Sequence, residues 1–147
     1  MERAARRILW RNQNSVYMRG TQIELRSMED VTFYNPLMTS GTVMKTWHMS
    51  HNYQGSRIQP DLPLLKKGSS YQLLAHLTAN PAGSVFLKVT FLDRYGEVVE
   101  TQIEKSNQLV FTYPKEAYQY TISLLSAGVI SMEFHYLELK EVSGEAF

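Results

Sequence analysis

The sequence has no cysteine at any of its 147 positions. Disulfides, thiolate metal sites and cysteine nucleophiles are therefore excluded together, and the chain suits a reducing compartment. Long apolar runs are missing as well. Stretches such as Val85-Phe86-Leu87 stop after a few residues, far short of the roughly 20 that a membrane-spanning helix needs. Near the start, Arg3, Arg6 and Arg7 are followed only by Ile8-Leu9-Trp10 before Arg11, whereas a secretory signal requires about 7–15 apolar residues there. The expectation is a cytoplasmic protein with no export signal and no integral membrane segment.

Catalytic signatures are equally scarce. No Gly-x-Ser-x-Gly nucleophile elbow occurs, and the glycine patterns of Walker and dinucleotide-binding loops are missing. The carboxylates are scattered over outward strand positions and turns, so none can be paired for glycosidase chemistry; they read as solvated surface charges. No cofactor is expected. The pattern argues against an enzyme and for a binding protein.

Apolar residues make up 44% of the chain and charged ones 20%, a balance that folds rather than stays disordered. A chain of this length fits one domain, spanning 1–147, with 1–8 and 141–147 expected as loose termini. The net charge of +1 hides an asymmetry. Residues 1–26 hold six arginines (Arg3, Arg6, Arg7, Arg11, Arg19, Arg26) against Glu2 and Glu24, a net +4, and the remainder carries −3. Such a basic arm suits nucleic acid or an acidic partner surface, or is simply a solvated terminus. No glycine-rich or aromatic nucleic-acid motif accompanies it, and nucleic acid is not an expected partner.

Nine tyrosines, six phenylalanines and two tryptophans favour strands and binding surfaces. Alternation with period two is clearest in the second half. Tyr71, Leu73, Ala75 and Leu77 share one face of a strand, as do Val85, Leu87, Val89 and Phe91 of the next. Asp93-Arg94-Tyr95-Gly96 then makes a hairpin turn into a return strand from Val98 to Ile103. Leu109–Thr112 is a short strand stopped by Pro114. Tyr118, Tyr120, Ile122 and Leu124 alternate along another, which turns at Ala127-Gly128. In the last, Val129 to Lys140, the face predicted inward carries Ile130, Met132, Phe134 and Tyr136. Val16–Leu25, Val31–Tyr34 and Val43–Met49 are strands with looser patterning. Helix is limited to single turns near Met1–Arg7 or Pro114–Ala117. Short strands separated by turn signals predict an all-β sandwich or barrel.

Two groups of residues could carry a site. His48 and His51 form the one close histidine pair, with His76 and His135 as further candidates. Two residues intervene between His48 and His51, so on a strand their rings would point to opposite faces, and a metal site is disfavoured. The alternative it would support is a small metal-dependent jelly-roll (cupin-like) enzyme. The segment 35–65 is the richer candidate: turn formers, amides and large aromatics with little alternation, in a long connection of the kind that is usually functional. Trp47, Asn52, Tyr53 and Arg57 are residue types that grip a sugar or anchor a protein interface. The competing structural reading has Trp47 capping the core and Tyr53 pinning the crossover.

The same region carries a family resemblance. Tyr17-Met18-Arg19-Gly20, Asn35-Pro36-Leu37-Met38-Thr39-Ser40-Gly41, Trp47-His48-Met49-Ser50-His51-Asn52-Tyr53, Arg57 and Leu62-Pro63-Leu64-Leu65-Lys66-Lys67-Gly68-x-x-Tyr71 resemble, in order, the smallest of the three Asp components of the accessory Sec system of Gram-positive bacteria. The likeness extends through the strand pattern to Leu139. Thr39 departs from it, standing where proline is expected. The resemblance implies a jelly-roll β-sandwich like that of a carbohydrate-binding module. It also implies a cytoplasmic, non-catalytic subunit, peripheral at the inner face of the membrane through its partners. Those partners are two larger accessory Sec proteins, one glycosyltransferase-like and one acetyltransferase-like, together with the accessory Sec motor. The implied role is glycan modification and export of serine-rich-repeat glycoprotein adhesins, with contact to an N-acetylglucosamine-bearing substrate.

Overall fold

A computed structural model describes residues 6–10, 16–48 and 62–142. It contains ten strands: β1 (Arg6–Ile8), β2 (Gln22–Ser27), β3 (Asp30–Tyr34), β4 (Val43–His48), β5 (Ser70–Asn80), β6 (Val85–Leu92), β7 (Val98–Glu104), β8 (Gln108–Thr112), β9 (Gln119–Ser126) and β10 (Ser131–Val142). Among the described residues there is no helix. One sheet runs β2-β3-β10-β5-β8, with β1 also on β10, and the other runs β4-β9-β6-β7. Every pairing among these strands is antiparallel. From β3 onward only the β6–β7 hairpin stays within a sheet; each other link crosses between the two, producing the sandwich that alternation predicted.

The core forms where alternating side chains of the two sheets meet. Leu73, Val85, Leu87, Val89 and Phe91 are buried on the predicted faces of β5 and β6, and the β6–β7 hairpin lies where Asp93–Gly96 placed it. Its turn is held by the Asp93 carboxylate, which accepts from the backbone N–H groups of Tyr95 (2.8 Å) and Glu97 (2.9 Å). Gly96 takes φ +82°, a left-handed conformation that costs glycine little.

The longest strand departs from its predicted face. β10 pairs with β5 from Ser131 to Val142, but the register slips between Phe134 and Tyr136, so His135 is an extra residue opposite one step of β5. Such a bulge reverses the alternation beyond it. Met132 and Phe134 face the core as expected, Leu137 and Leu139 take over after the bulge, and Tyr136 is turned out to the far side. Ile130, also predicted inward, lies before the strand and is exposed. The His135 Nδ1 meets the Glu29 carbonyl oxygen at 2.9 Å, which ties the bulge to the β2–β3 turn. The bulge also divides the remaining edge of β10. β3 occupies it from Ser131 to Phe134, and β1 from Leu137 to Leu139.

Of the N-terminal segment 1–8 expected to be loose, only residues 6–8 are described. Arg6–Ile8 is not loose but a paired strand, and Ile8 and Trp10 are buried. At the other end β10 continues through Val142. Likewise Val16–Leu25 is not one strand. Val16 makes an isolated bridge to Lys45, Gly20 turns the chain at φ +77°, and only then does β2 begin. Buried Asn35 closes that turn, donating to the Arg19 carbonyl (2.9 Å) and the Thr21 hydroxyl (2.8 Å). The Tyr17–Gly20 and Asn35–Gly41 blocks are thus two sides of one structural joint.

Deleting His135 is predicted to straighten β10 and keep unfolding cooperative in a thermal or urea melt, because Tyr136 would then follow Phe134 in unbroken register with His76 and Leu77, leaving Leu137 and Leu139 in the core. His135→Ala keeps the extra residue and is expected to cost only about 1 kcal/mol, the worth of its hydrogen bond.

Candidate functional site

Trp47 sits on β4 with its side chain wholly inside the sandwich. Its ring stacks on Phe134 of the opposite sheet (centroids 5.6 Å, planes 29° apart) and meets Trp10 edge-on at 6.2 Å. Its indole N–H donates to the Leu9 carbonyl at 2.9 Å. The ring and its polar edge are therefore taken up inside the fold, and this residue presents nothing to a sugar. The core reading of Trp47 is the one its geometry fits. Lys45, next but one on the strand, is buried with its Nζ 5.0 Å and 5.2 Å from the Trp10 and Trp47 ring centroids. Regular alternation from Trp47 turns this lysine inward opposite buried Leu124, where the rings offer their negative faces to its charge.

Asn52, Tyr53 and Arg57 lie outside the described residues. The two residues that flank 49–61 are side by side: the Leu62 N–H donates to the His48 carbonyl at 3.2 Å. After it, Leu62 is buried, and the Tyr120 hydroxyl donates to the Pro63 carbonyl at 2.7 Å. Burial pushes the Tyr120 phenol far above its ordinary range, so it remains a donor at any working pH. This anchor fixes the exit of the crossover.

Just beyond the anchor is a small open cleft of about 160 Å³, lined by Arg6, Leu64, Lys66, Tyr71, Lys140 and Glu141 among others. It is well below the roughly 300–1,000 Å³ of typical ligand pockets, a size for one side chain rather than an oligosaccharide. Arg6 and Lys140 line it beside Glu141, and the Lys66–Glu141 pair there is long at 3.9 Å.

The histidines do not assemble. His48 ends β4 in one sheet, while His76 and His135 belong to the other; His51 lies outside the described residues. His76 Nε2 contacts Glu138 Oε1 at 2.9 Å and its ring stacks on Tyr136 at 4.4 Å. Among the described residues no group of three or more His, Asp or Glu is placed to hold a metal ion. The cluster on this outer face, in which Arg7 covers the Tyr136 ring at 4.3 Å and pairs with Glu29 at 3.0 Å, was not anticipated from sequence. It exists because the His135 bulge turned Tyr136 outward, and no local pattern signals a bulge.

Nearby, the Arg26 guanidinium grips Asp30 through both carboxylate oxygens (3.0 and 2.9 Å). That hydrogen bonding holds the Asp30 carboxyl below its ordinary range. The stabilisation is present above the usual carboxylate pKa and is lost as pH falls through the lowered value. Arg26→Ala should therefore lower Tm slightly at neutral pH and leave it unchanged at strongly acid pH, flattening the acid limb of a plot of Tm against pH.

The two tryptophans make a sharper test. Trp47→Phe removes the donor to Leu9 and is predicted to destabilise by about 1–3 kcal/mol. Among the described residues the buried Trp10 indole N–H has no hydrogen-bond partner, so Trp10→Phe should cost less than Trp47→Phe. Urea midpoints of the two variants check this order.

Known proteins share this outline. A family model described as Accessory Sec secretory system ASP3 matches residues 16–141. The accessory Sec system protein of that name from Streptococcus gordonii is 48% identical over 130 residues, 88% of this chain and 82% of that protein. A chain in the crystal structure of accessory secretory protein 1, 2 and 3 of Streptococcus pneumoniae superposes with a TM-score of 0.87 at 43% identity, over 92% of this chain and 95% of that one. In the glycosylation-associated Gap123 complex of Streptococcus agalactiae the TM-score is 0.85 at 40% identity, over 95% of this chain and 45% of the matching one. The apo carbohydrate-binding module BiXyn10A CBM1 shares the fold at 12% identity, TM-score 0.53.

Proposed function

The chain belongs to the accessory Sec secretory system ASP3 family, and from that premise we propose that it is a non-catalytic subunit that binds and scaffolds two larger partners. The observation that carries this is its 43% identity and 0.87 TM-score to a chain in a crystal structure of accessory secretory proteins 1, 2 and 3. On the resemblance read from sequence, those partners are a glycosyltransferase-like and an acetyltransferase-like protein. Their joint task is glycan modification and export of serine-rich-repeat adhesins through the accessory Sec motor. The working place is the cytoplasm, at the inner face of the membrane through the partners.

Protein contact is the stronger half of the reading. A stable interface buries about 1,200–2,000 Å², which needs an extended surface rather than a pocket, and the small cleft beside Lys66 agrees with that. A role in holding an N-acetylglucosamine-bearing substrate would rest on Asn52, Tyr53 and Arg57, since Trp47 is consumed by the core. The carbohydrate-binding-module fold supplies the architecture for such contact and no more, because likeness of fold does not carry a site.

The chain is predicted to co-elute with its two larger partners on size-exclusion chromatography. Persistent separate elution at micromolar concentrations would sink the scaffolding role. The triple variant Asn52→Ala/Tyr53→Ala/Arg57→Ala should keep the wild-type melting temperature while weakening either partner or glycan binding by about tenfold or more, on the pattern of interface anchors. Affinity measured separately for partners and for N-acetylglucosamine-bearing peptide shows which of the two the crossover serves.

A further inference from the structure

β7 inverts the rule that the rest of the sandwich obeys. Its cross-strand partners on β6 identify the core-facing side: Gln102 is opposite Val89, Glu100 opposite Phe91 and Glu104 opposite Leu87, all three partners buried. The inward row of β7 is thus Glu100, Gln102 and Glu104, while Thr101 and Ile103 point out. Despite their direction, the two glutamates are exposed, as is every residue of the strand except half-buried Gln102. The facing sheet ends at β8, which β7 meets through Gln102, while the glutamates on either side of Gln102 stay exposed.

Its outer edge is open, since among the described strands β7 pairs with β6 alone. The edges of β4 and β8 differ. β4 is capped by the Val16 bridge and by the Tyr17 N–H on the Met44 carbonyl at 2.9 Å. On β8 the Val110 carbonyl accepts from Gln102 at 3.4 Å. β2 likewise pairs on one side only, with β3, and there the exposed Arg26 is already held by Glu24, Asp30 and Thr32. An open edge presents a ladder of backbone donors and acceptors to any extended chain, and seven residues offer about 23 Å of it.

The charges choose the occupant. Glu100 and Glu104 are four residues apart on one face, and Glu97 precedes the strand. If two copies paired β7 antiparallel about Gln102, Glu100 of one would lie against Glu104 of the other, and like charges directly opposite are destabilising. The same carboxylates attract a strand with cations at positions four apart, while Ile103, 54% exposed, and Val98, 63% exposed, offer apolar contact beside them.

We propose that the β7 edge receives an extended segment of a larger partner protein, bearing Lys or Arg opposite Glu100 and Glu104, as a fifth strand of the second sheet. This rests on the scaffolding reading above and names the surface it uses. The test is amide hydrogen exchange of the full chain, alone and mixed with accessory secretory proteins 1 and 2, beside affinities for Glu100→Lys/Glu104→Lys and Glu100→Gln/Glu104→Gln. Expected are slower exchange across 98–104 in the complex and a loss of affinity of roughly tenfold or more on charge reversal. Neutralisation should give a smaller loss, and the melting temperatures should be unchanged. Complex formation with unaltered exchange at 98–104, or with reversal variants that bind within about twofold of wild type, overturns the proposal and leaves the scaffolding role intact. Failure of the wild-type chain to bind either partner overturns both. Protection of 98–104 in the isolated chain that rises with its own concentration identifies a second copy as occupant and also refutes the proposal.

Discussion

The ring of Trp47, carried on one sheet, rests against Phe134 of the other, and much of the molecule is arranged to keep it there. Trp10 closes the edge of that pair, and Phe33 packs against Trp10. Through the Trp47 indole N–H, the Leu9 carbonyl is fixed inside the fold, so the short strand preceding it is held at both ends, by β10 on one side and by the opposite sheet on the other. A sandwich with no disulfide needs such interlocks, because its two sheets are joined only by connections and by the surface they bury. Large aromatic rings are suited to this, since each removes more apolar area from water than an aliphatic side chain.

The position of Phe134 in turn depends on β10. Up to this residue the strand presents even-numbered side chains to the core, and after the extra His135 it presents Leu137 and Leu139. Without the shift, the second half of the strand would aim Tyr136 and Glu138 inward. With it, Tyr136 contacts both Arg7 and His76 on the outer face. By absorbing the extra residue, this shift keeps the two leucines in the core in register with β5 and leaves Tyr136 on a charged, aromatic outer surface.

That dependence explains which parts of the fold were legible in the sequence. β5, β6 and the β6–β7 hairpin follow from alternation and turn chemistry because each is specified by adjacent residues. β1 is three residues long and gains its stability from β10 and the Trp47–Leu9 bond, neither of which is local. The β10 bulge and the break of Val16–Leu25 at Gly20 are likewise decided by distant partners, Glu29 and Asn35. For the site, the residue types in 35–65 could not separate stabilising from binding roles. A tryptophan serves either, and for Trp47 burial decides the matter. His48, His76 and His135 were similarly eligible by type and are dispersed by topology.

A strand with its polar row directed inward would be a defect in the middle of a sheet, where Glu100 and Glu104 would be desolvated without partners. At this edge both glutamates stay exposed, so the same row costs little. Inward-pointing charge at an edge is also a known guard against self-association, and by itself it explains the glutamates without any partner. What a guard does not explain is the rest of β7. Protective edges are short, twisted away or covered, whereas this one has seven residues, is exposed on both faces and carries Val98 and Ile103 beside its acids. The combination repels a copy of itself and still leaves backbone and apolar surface available, which is the arrangement that selects a partner by charge and not one that excludes all partners.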